Sequence, residues 1–243
     1  MVDFYSLNLL RSQSVGSLVS VHRQATLEYF VYGNNPRLFI SSGMHGDEYK
    51  IISSVCKSIK LNLKNLPSFI FVPIVTPSAV EKKTRNNKMG QDVNRGFIVN
   101  GTTDESKAMI SIIGSNKFDL VVSFHEDWEF GEFYMYDELA DDENRDISSL
   151  YTKFKQKLIK NGVGLFNGID DPNDPILGYK FTDGYATTRH KKREKENGPF
   201  ESWAISQGIS SRCFTPEIPA KLKQEVKDKI VEAFFTDLII PFF

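Results

Sequence analysis

Cysteine is scarce in this chain. There are two thiols, Cys56 and Cys213, in 243 residues. Two cysteines so far apart in sequence build no disulfide framework and fit a reducing compartment. An excess of one charge is also missing. Lys and Arg number 30 against 31 Asp and Glu, a formal charge of −1. A nucleic-acid binder would be expected to show a clear basic excess, so no nucleic-acid partner is expected. No apolar run approaches the ~20 residues that a membrane span needs, so no membrane role is expected. The opening "MVDFYSLNLLRSQS" lacks a basic stretch followed by a long apolar one. No ordinary secretory signal is therefore expected, and the cytoplasm is the simplest expected address, with export without a cleaved signal as the other route. Internal repeats are absent as well. Apolar residues make up 40% and aromatics 12% of the chain, which is the composition of a globular protein. The length suits one α/β domain over residues 1–243 and is ample for a sizeable core.

Strand and helix signals alternate along the chain. "SLVSVHRQATLEYFVYGN" reads as a hairpin that ends in the turn signal Gly33-Asn34-Asn35. "RLFISSG" (37–43), "SFIFVPIV" (68–75), "DLVVSFHED" (119–127) and "SSRCFTPEI" (210–218) read as buried strands. Helices are predicted over 47–60, over "ESKAMISIIGSN" with a stop at Gly114, and over "RDISSLYTKFKQKLIKNG" with another glycine stop. A closing helix is predicted over 219–239, with Pro219 near its start. Strands alternating with helices argue for a sheet covered on both faces. The least regular stretch runs from about Asn167 to Pro199 and holds "GIDDPNDPILG" and the charge run "RHKKREKEN". A loop this long within a compact domain is usually functional or mobile. The interleaved Glu194 and Glu196 favour a solvated loop over a basic patch.

The chemistry starts at "GMHGDE", residues 43–48. A parallel strand at 37–42 places this turn beyond its carboxyl end, where α/β sheets hold ligands. His45 and Glu48 leave one turn together and can reach one ion. A catalytic zinc takes three protein ligands and keeps a position open. The end of "DLVVSFHED" supplies a third in His125. An HxxE pair alone is common and often incidental. The chain has only four histidines, however, and two of them fall at the ends of predicted buried strands. Between the two, "TPSAVEKKTRNNKMGQDVNRGF" (76–97) gathers Arg85, Asp92, Asn94 and Arg95 into a dense polar segment after a strand. Near the end, "CFTPEIP" is an apolar strand carrying Glu217, and an unpaired buried carboxylate needs a reason to be there.

These four segments, in this order, resemble the zinc carboxypeptidase family. "HGDE" matches its HxxE, "GQDVNRGF" its Gly-x-Asp-x-Asn-Arg-x-Phe, "SFHED" its later histidine and "FTPEI" its C-terminal glutamate. The likeness spans roughly residues 37–220. It implies a three-layer α/β/α fold with a mixed, largely parallel central sheet. It also implies one Zn2+ per chain on His45, Glu48 and His125, with Asp92 behind His45 accepting its other ring N–H. Asn94 and Arg95 would hold the free C-terminal carboxylate of a peptide substrate, and Arg85 would stabilise the oxyanion. Glu217 would be the general base for the attacking water, with Glu126 the next candidate.

Three departures carry their own expectations. "GPFESWAISQGISSRCFTPE" resembles the stretch that leads into the catalytic glutamate, anchored on Trp203 and residues 206–209. On that anchor Glu201 falls at the base of the side-chain pocket and favours C-terminal Lys or Arg. The segment where the family carries a mobile tyrosine is "REKENG", and Tyr185 is the nearest upstream candidate. No digestive-type propeptide is expected before residue 37, and no trailing β-domain after the closing helix. The expected activity is therefore C-terminal peptide-bond hydrolysis. A murein-peptide amidase or an acyl-amino-acid amidohydrolase of the aspartoacylase and succinylglutamate desuccinylase kind is the alternative.

Overall fold

A computed structural model of the chain describes residues 19–98, 100–171, 178–190 and 198–243. Residues 1–18, part of the long irregular stretch (172–177) and most of the charge run (191–197) lie outside it. The hairpin forms as expected: β1 (Val19–Gln24) and β2 (Leu27–Tyr32) pair antiparallel. There follow β3 (Leu38–Ser41), β4 (Phe69–Val72), β5 (Leu120–Ser123) and β6 (His125–Asp127). Next come β7 (Tyr134–Ala140), the short pair β8 (Gly168–Ile169) and β9 (Lys180–Phe181), β10 (Tyr185–His190) and β11 (Arg212–Pro219). The main sheet is ordered β1-β2-β4-β3-β5-β11-β7-β10, with β6 beside β11. Its centre, β4 through β3 and β5 to β11, is parallel. The β2/β4 and β7/β11 ladders are antiparallel, so the sheet is mixed but largely parallel.

Pleating explains why the central strands read as unbroken apolar runs. Successive side chains point to opposite faces, and both faces are covered. Leu38, Ile40, Phe69, Phe71, Leu120, Val122 and Phe214 enter one core, with α1 (Ile51–Asn62), α4 (Ser148–Lys160) and α6 (Gln224–Phe234). Phe39, Ile70, Val72, Val121 and Cys213, the residues in between, enter the other core with α3 (Asp104–Ile113) and α5 (Phe200–Ser206). A short α2 (Pro77–Lys82) follows β4. The result is the expected three-layer α/β/α arrangement. Among the described residues no helix is long and apolar enough to cross a membrane.

The structure corrects several boundaries. The first helix begins at Ile51 and not at residue 47, because residues 47–50 stay in the turn that aims Glu48. The run 119–127 splits at Phe124 into β5 and β6. Pro219 closes β11, and the last helix starts at Gln224. Two strands, β7 and β10, are absent from the pattern reading. Their sequences, "YMYDELA" and "YATTRH", look polar because three of their side chains are satisfied by tertiary partners. Asp137 pairs with Arg212 at 2.7 Å, and Glu138 with His190 at 2.7 Å.

Candidate metal centre and active site

The centre is assembled at the carboxyl ends of the parallel strands. After β3 the chain turns through Gly43, which has φ +62°, a conformation that favours glycine. The turn then lies directly on α2. A Cβ on Gly46 would sit 1.9 Å from the carbonyl carbon of Ala79, so only glycine permits this approach. Thr76 Oγ1 donates to the Met44 carbonyl at 2.7 Å, and the Gly46 N–H donates to the Thr84 carbonyl at 2.9 Å. His45 and Glu48 are thereby fixed on a rigid turn. His125 opens β6, directly opposite Glu217 on β11 in the parallel register.

The two histidines and Glu48 meet as the sequence implies. His45, Glu48 and His125 are all buried, and their potential ligand atoms lie within 4.8 Å of one another. Glu48 sits between the two rings. His45 Nδ1 is 2.5 Å from its Oε1, and His125 Nδ1 is 2.9 Å from its Oε2. Each outer nitrogen faces a different carboxylate: His45 Nε2 lies 3.1 Å from Asp92 Oδ1, and His125 Nε2 lies 3.2 Å from Glu201 Oε1. Two inward imidazole nitrogens and a carboxylate form a donor set that suits Zn2+. The outer carboxylates are the partners that fix the ring tautomer around such an ion. The donor set therefore fits the implied metal.

Electrostatics follow from this packing. Burial works to lower the histidine pKa values, but Glu48, Asp92 and Glu201 outweigh it. His45 is raised, and His125 is raised well above its ordinary value. Burial alone would raise Glu48, Asp92 and Glu201. The histidines hold Glu48 and Asp92 well below the usual carboxylate range, with Arg85 adding to the effect on Asp92. Glu201 is held at about 2 by His125 and Ser123. Glu217 goes the other way. Burial pushes it up to about 8, with His125 opposing and Glu48 and Asp127 adding to the rise.

All the residues just named except Asp92 and Ser123 border one cavity of about 280 Å³ that also reaches Arg85, Arg95, Tyr134, Tyr136, Glu138, Asp170, Thr188 and Thr215. Arg85 is tied back to Asp92 Oδ2 through Nε at 3.1 Å and Nη2 at 2.9 Å, which leaves Nη1 on the side of His45. Asn94 is buried. Its Oδ1 accepts from the Phe200 N–H at 2.9 Å, and its Nδ2 donates to Glu201 Oε2 at 3.3 Å. Arg95 reaches the same cavity with an exposed side chain.

Three expectations are placed differently. Glu201 is 2% exposed, and both its oxygens are engaged by His125 and Asn94, so it is held against the candidate metal ligand His125. Tyr185 points away from the cavity. Its hydroxyl donates to Asp137 and its ring lies against Tyr151. Glu126 has both oxygens occupied, one by the buried Lys227 and the other by the Lys50 and Ile51 N–H groups at the start of α1. Although it borders the cavity, both its oxygens are committed to these structural contacts.

The wall supplied by β7 was missed by sequence reasoning. In the antiparallel register Tyr134, Tyr136 and Glu138 lie opposite Glu217, Thr215 and Cys213. The three therefore share one face. Tyr134 donates to Asp127 at 3.2 Å and Tyr136 to Asp170 at 2.6 Å. The alternation Tyr-x-Tyr-x-Glu was the signal available.

No family model matches the chain, and no curated protein matches it in sequence. Solved structures do match. One, provisionally described as a metallopeptidase from Shewanella amazonensis, superposes with a TM-score of 0.76 at 18% identity, covering 98% of this chain and 92% of its own. A metallo-carboxypeptidase from Burkholderia cenocepacia gives 0.65 at 14% identity, covering 98% and 68%. A metallo-carboxypeptidase from Pseudomonas aeruginosa, in complex with (2-guanidinoethylmercapto)succinic acid, gives 0.60 at 14% identity, covering 94% and 67%. The chain thus has the α/β fold of the metallo-carboxypeptidases.

Proposed function

We propose that the chain is a zinc-dependent carboxypeptidase that hydrolyses the C-terminal peptide bond of substrates bearing a free carboxylate, with a preference for Lys or Arg at the cut end. The observation that carries this reading is the composition of the one cavity. A buried His45–Glu48–His125 set shares that cavity with Glu217, whose pKa is raised by burial, and with Arg85 and Arg95.

His45, Glu48 and His125 would hold the ion, which supplies Lewis acidity toward the scissile carbonyl and makes water nucleophilic near neutral pH. The residues of the chain do the rest. Glu217 takes the proton of the attacking water and returns it to the leaving amine. A carboxyl raised by burial is suited to that exchange, and a divalent cation nearby would draw its pKa down from the metal-free value. Arg85, braced by Asp92, presents Nη1 to the charge that develops on the carbonyl oxygen. Arg95 recognises the terminal carboxylate with its planar fork, and Asn94 offers its remaining amide hydrogen beside it.

The preference for a cationic side chain is better supported by Glu138 than by Glu201. Glu138 is buried on the cavity wall, four residues along β7 from Tyr134, or about 13 Å from the register of Glu217. In this reading it would serve at the far end of a side-chain pocket. Its Oε2 is shared by His190, at 2.7 Å, and by Ser202 Oγ, which donates at 2.9 Å, so a substrate cation would meet Oε1; Thr215 Oγ1, on the same face, is buried without a hydrogen-bond partner among the described residues. The Pseudomonas enzyme's ligand joins a guanidinium group to carboxylates, the same pairing of charges.

The test is a panel of blocked dipeptides, N-acyl amino acids and muropeptides, assayed with and without chelator. Zinc-dependent release of C-terminal Arg or Lys at least tenfold faster than of Phe is expected, a difference of about 1.4 kcal/mol. Glu138→Gln should shrink that ratio. Equal cleavage of amidated and free C-termini would sink the exopeptidase reading.

A further inference from the structure

Glu201 is left over from the chemistry above. It neither faces solvent nor presents a free oxygen to the pocket. Its position is set by α5, where it is the second residue. The first N–H of that helix, from Phe200, is capped by Asn94 Oδ1 at 2.9 Å. From there the Glu201 side chain reaches in two directions at once. Oε1 lies 3.2 Å from His125 Nε2, and Oε2 accepts from Asn94 Nδ2 at 3.3 Å. Ser123 Oγ completes the cluster, 3.1 Å from the same ring nitrogen. The carboxylate and the ring are both almost fully buried, at 2% and 3% exposure.

A buried carboxylate is retained where its lone pairs are satisfied, and here the partners are specific. With Nε2–H directed at Glu201, the lone pair of His125 is left on Nδ1, the atom that faces Glu48 and His45. This is the counterpart of the Asp92–His45 contact on the other ring. The second grip is on Asn94. With Oδ1 and one amide hydrogen engaged, that side chain cannot rotate away from the cavity.

We infer that Glu201 is a positioning residue that couples the metal ligand His125 to the carboxylate-binding Asn94, so that one side chain sets both. The inference rests on the metallo-carboxypeptidase reading, and it accounts for a glutamate that a side-chain pocket would otherwise have to explain.

Glu201→Gln keeps the shape but removes the charge and turns an amide NH2 against Asn94 Nδ2 or His125 Nε2–H. Zinc affinity, measured by competition with a chelator of known affinity, should fall about 10–100-fold, the range for loss of a carboxylate behind a metal-bound histidine. Asp92→Asn is the comparator and should lose a similar factor. The ring 15N signals of His125 should move while those of His45 stay. Affinity within twofold of the parent, with unmoved His125 signals, would overturn the inference. If the variant does not fold, the zinc-loaded parent still decides. Its His125 must carry the proton on Nε2, in a hydrogen-bonded, downfield-shifted N–H, and a proton on Nδ1 overturns the inference. A parent that binds no zinc would defeat the metallopeptidase reading itself, a different outcome from a parent that binds zinc and a Glu201→Gln variant that binds it equally well.

Discussion

Every ring nitrogen of His45 and His125 faces a carboxylate. The four contacts, at 2.5, 3.1, 2.9 and 3.2 Å, go to Glu48, Asp92, Glu48 and Glu201. A carboxylate can only accept, so all four are satisfied together when both rings are doubly protonated. The raised pKa values of both histidines express the same arrangement, in which the surrounding carboxylates overcome the cost of burial. A metal ligand must have a free lone pair on Nδ1, so each ring has to give up one proton when zinc binds. Well below pH 6.5, where both raised histidines are protonated, zinc should therefore displace close to two protons. Its apparent affinity should weaken by about 100-fold per pH unit of acidification, or about 2.7 kcal/mol. Calorimetric titration in buffers of different ionisation enthalpy counts the protons directly. Binding heats independent of buffer, or an affinity flat between pH 6.5 and 5.5, would refute the reasoning.

The same groups set a window for the stability of the metal-free protein. The histidines are raised, so their contribution is complete below the ordinary value of 6.5 and is lost as pH rises through the folded values. Glu48 is lowered from 4.5, so its contribution is present above that value and is lost as pH falls through the folded one. As far as this cluster decides, the metal-free protein is most stable between those two values.

Three further outcomes are expected. Glu217→Gln should keep full zinc content and lose turnover by ~10²–10⁴-fold, and wild-type turnover in a zinc-loaded variant would assign the base elsewhere. Arg95→Ala should slow cleavage of substrates with a free carboxylate and leave the slow cleavage of their amides nearly unchanged, as compared by kcat/KM. Lys227→Met removes the buried partner of Glu126 and should destabilise the protein by about 3–5 kcal/mol in urea unfolding. A loss below about 1 kcal/mol would mean that the pair is not needed to hold Glu126 at the start of α1.

The central strands were legible because both faces are buried, which turns them into apolar runs bounded by turns. The two inward histidines were legible because each follows such a run. Strands β7 and β10 were hidden by charge. In isolation Asp137 and Glu138 argue against a strand, and only Arg212, Tyr185, His190 and Ser202, from distant parts of the chain, make them tolerable there. Pattern reasoning weighs each segment alone and has no means of seeing such partners.

Glu201 marks a different limit. Sequence likeness placed it near the pocket, and it does border the cavity. What likeness does not carry is direction. A side chain that could serve as the anionic floor for a substrate cation is, one rotation away, the brace of a metal ligand, and the choice depends on whether His125 Nε2 has another partner. Ser123 offers a hydroxyl at 3.1 Å but no charge, and Asp92 is committed to His45 and Arg85. The carboxylate that faces His125 Nε2 comes from α5. Once Glu201 is spent there, the proposed preference for cationic substrates would have to rest on another acid, and Glu138 on β7, held by His190 and Ser202, is the buried candidate on the same cavity wall.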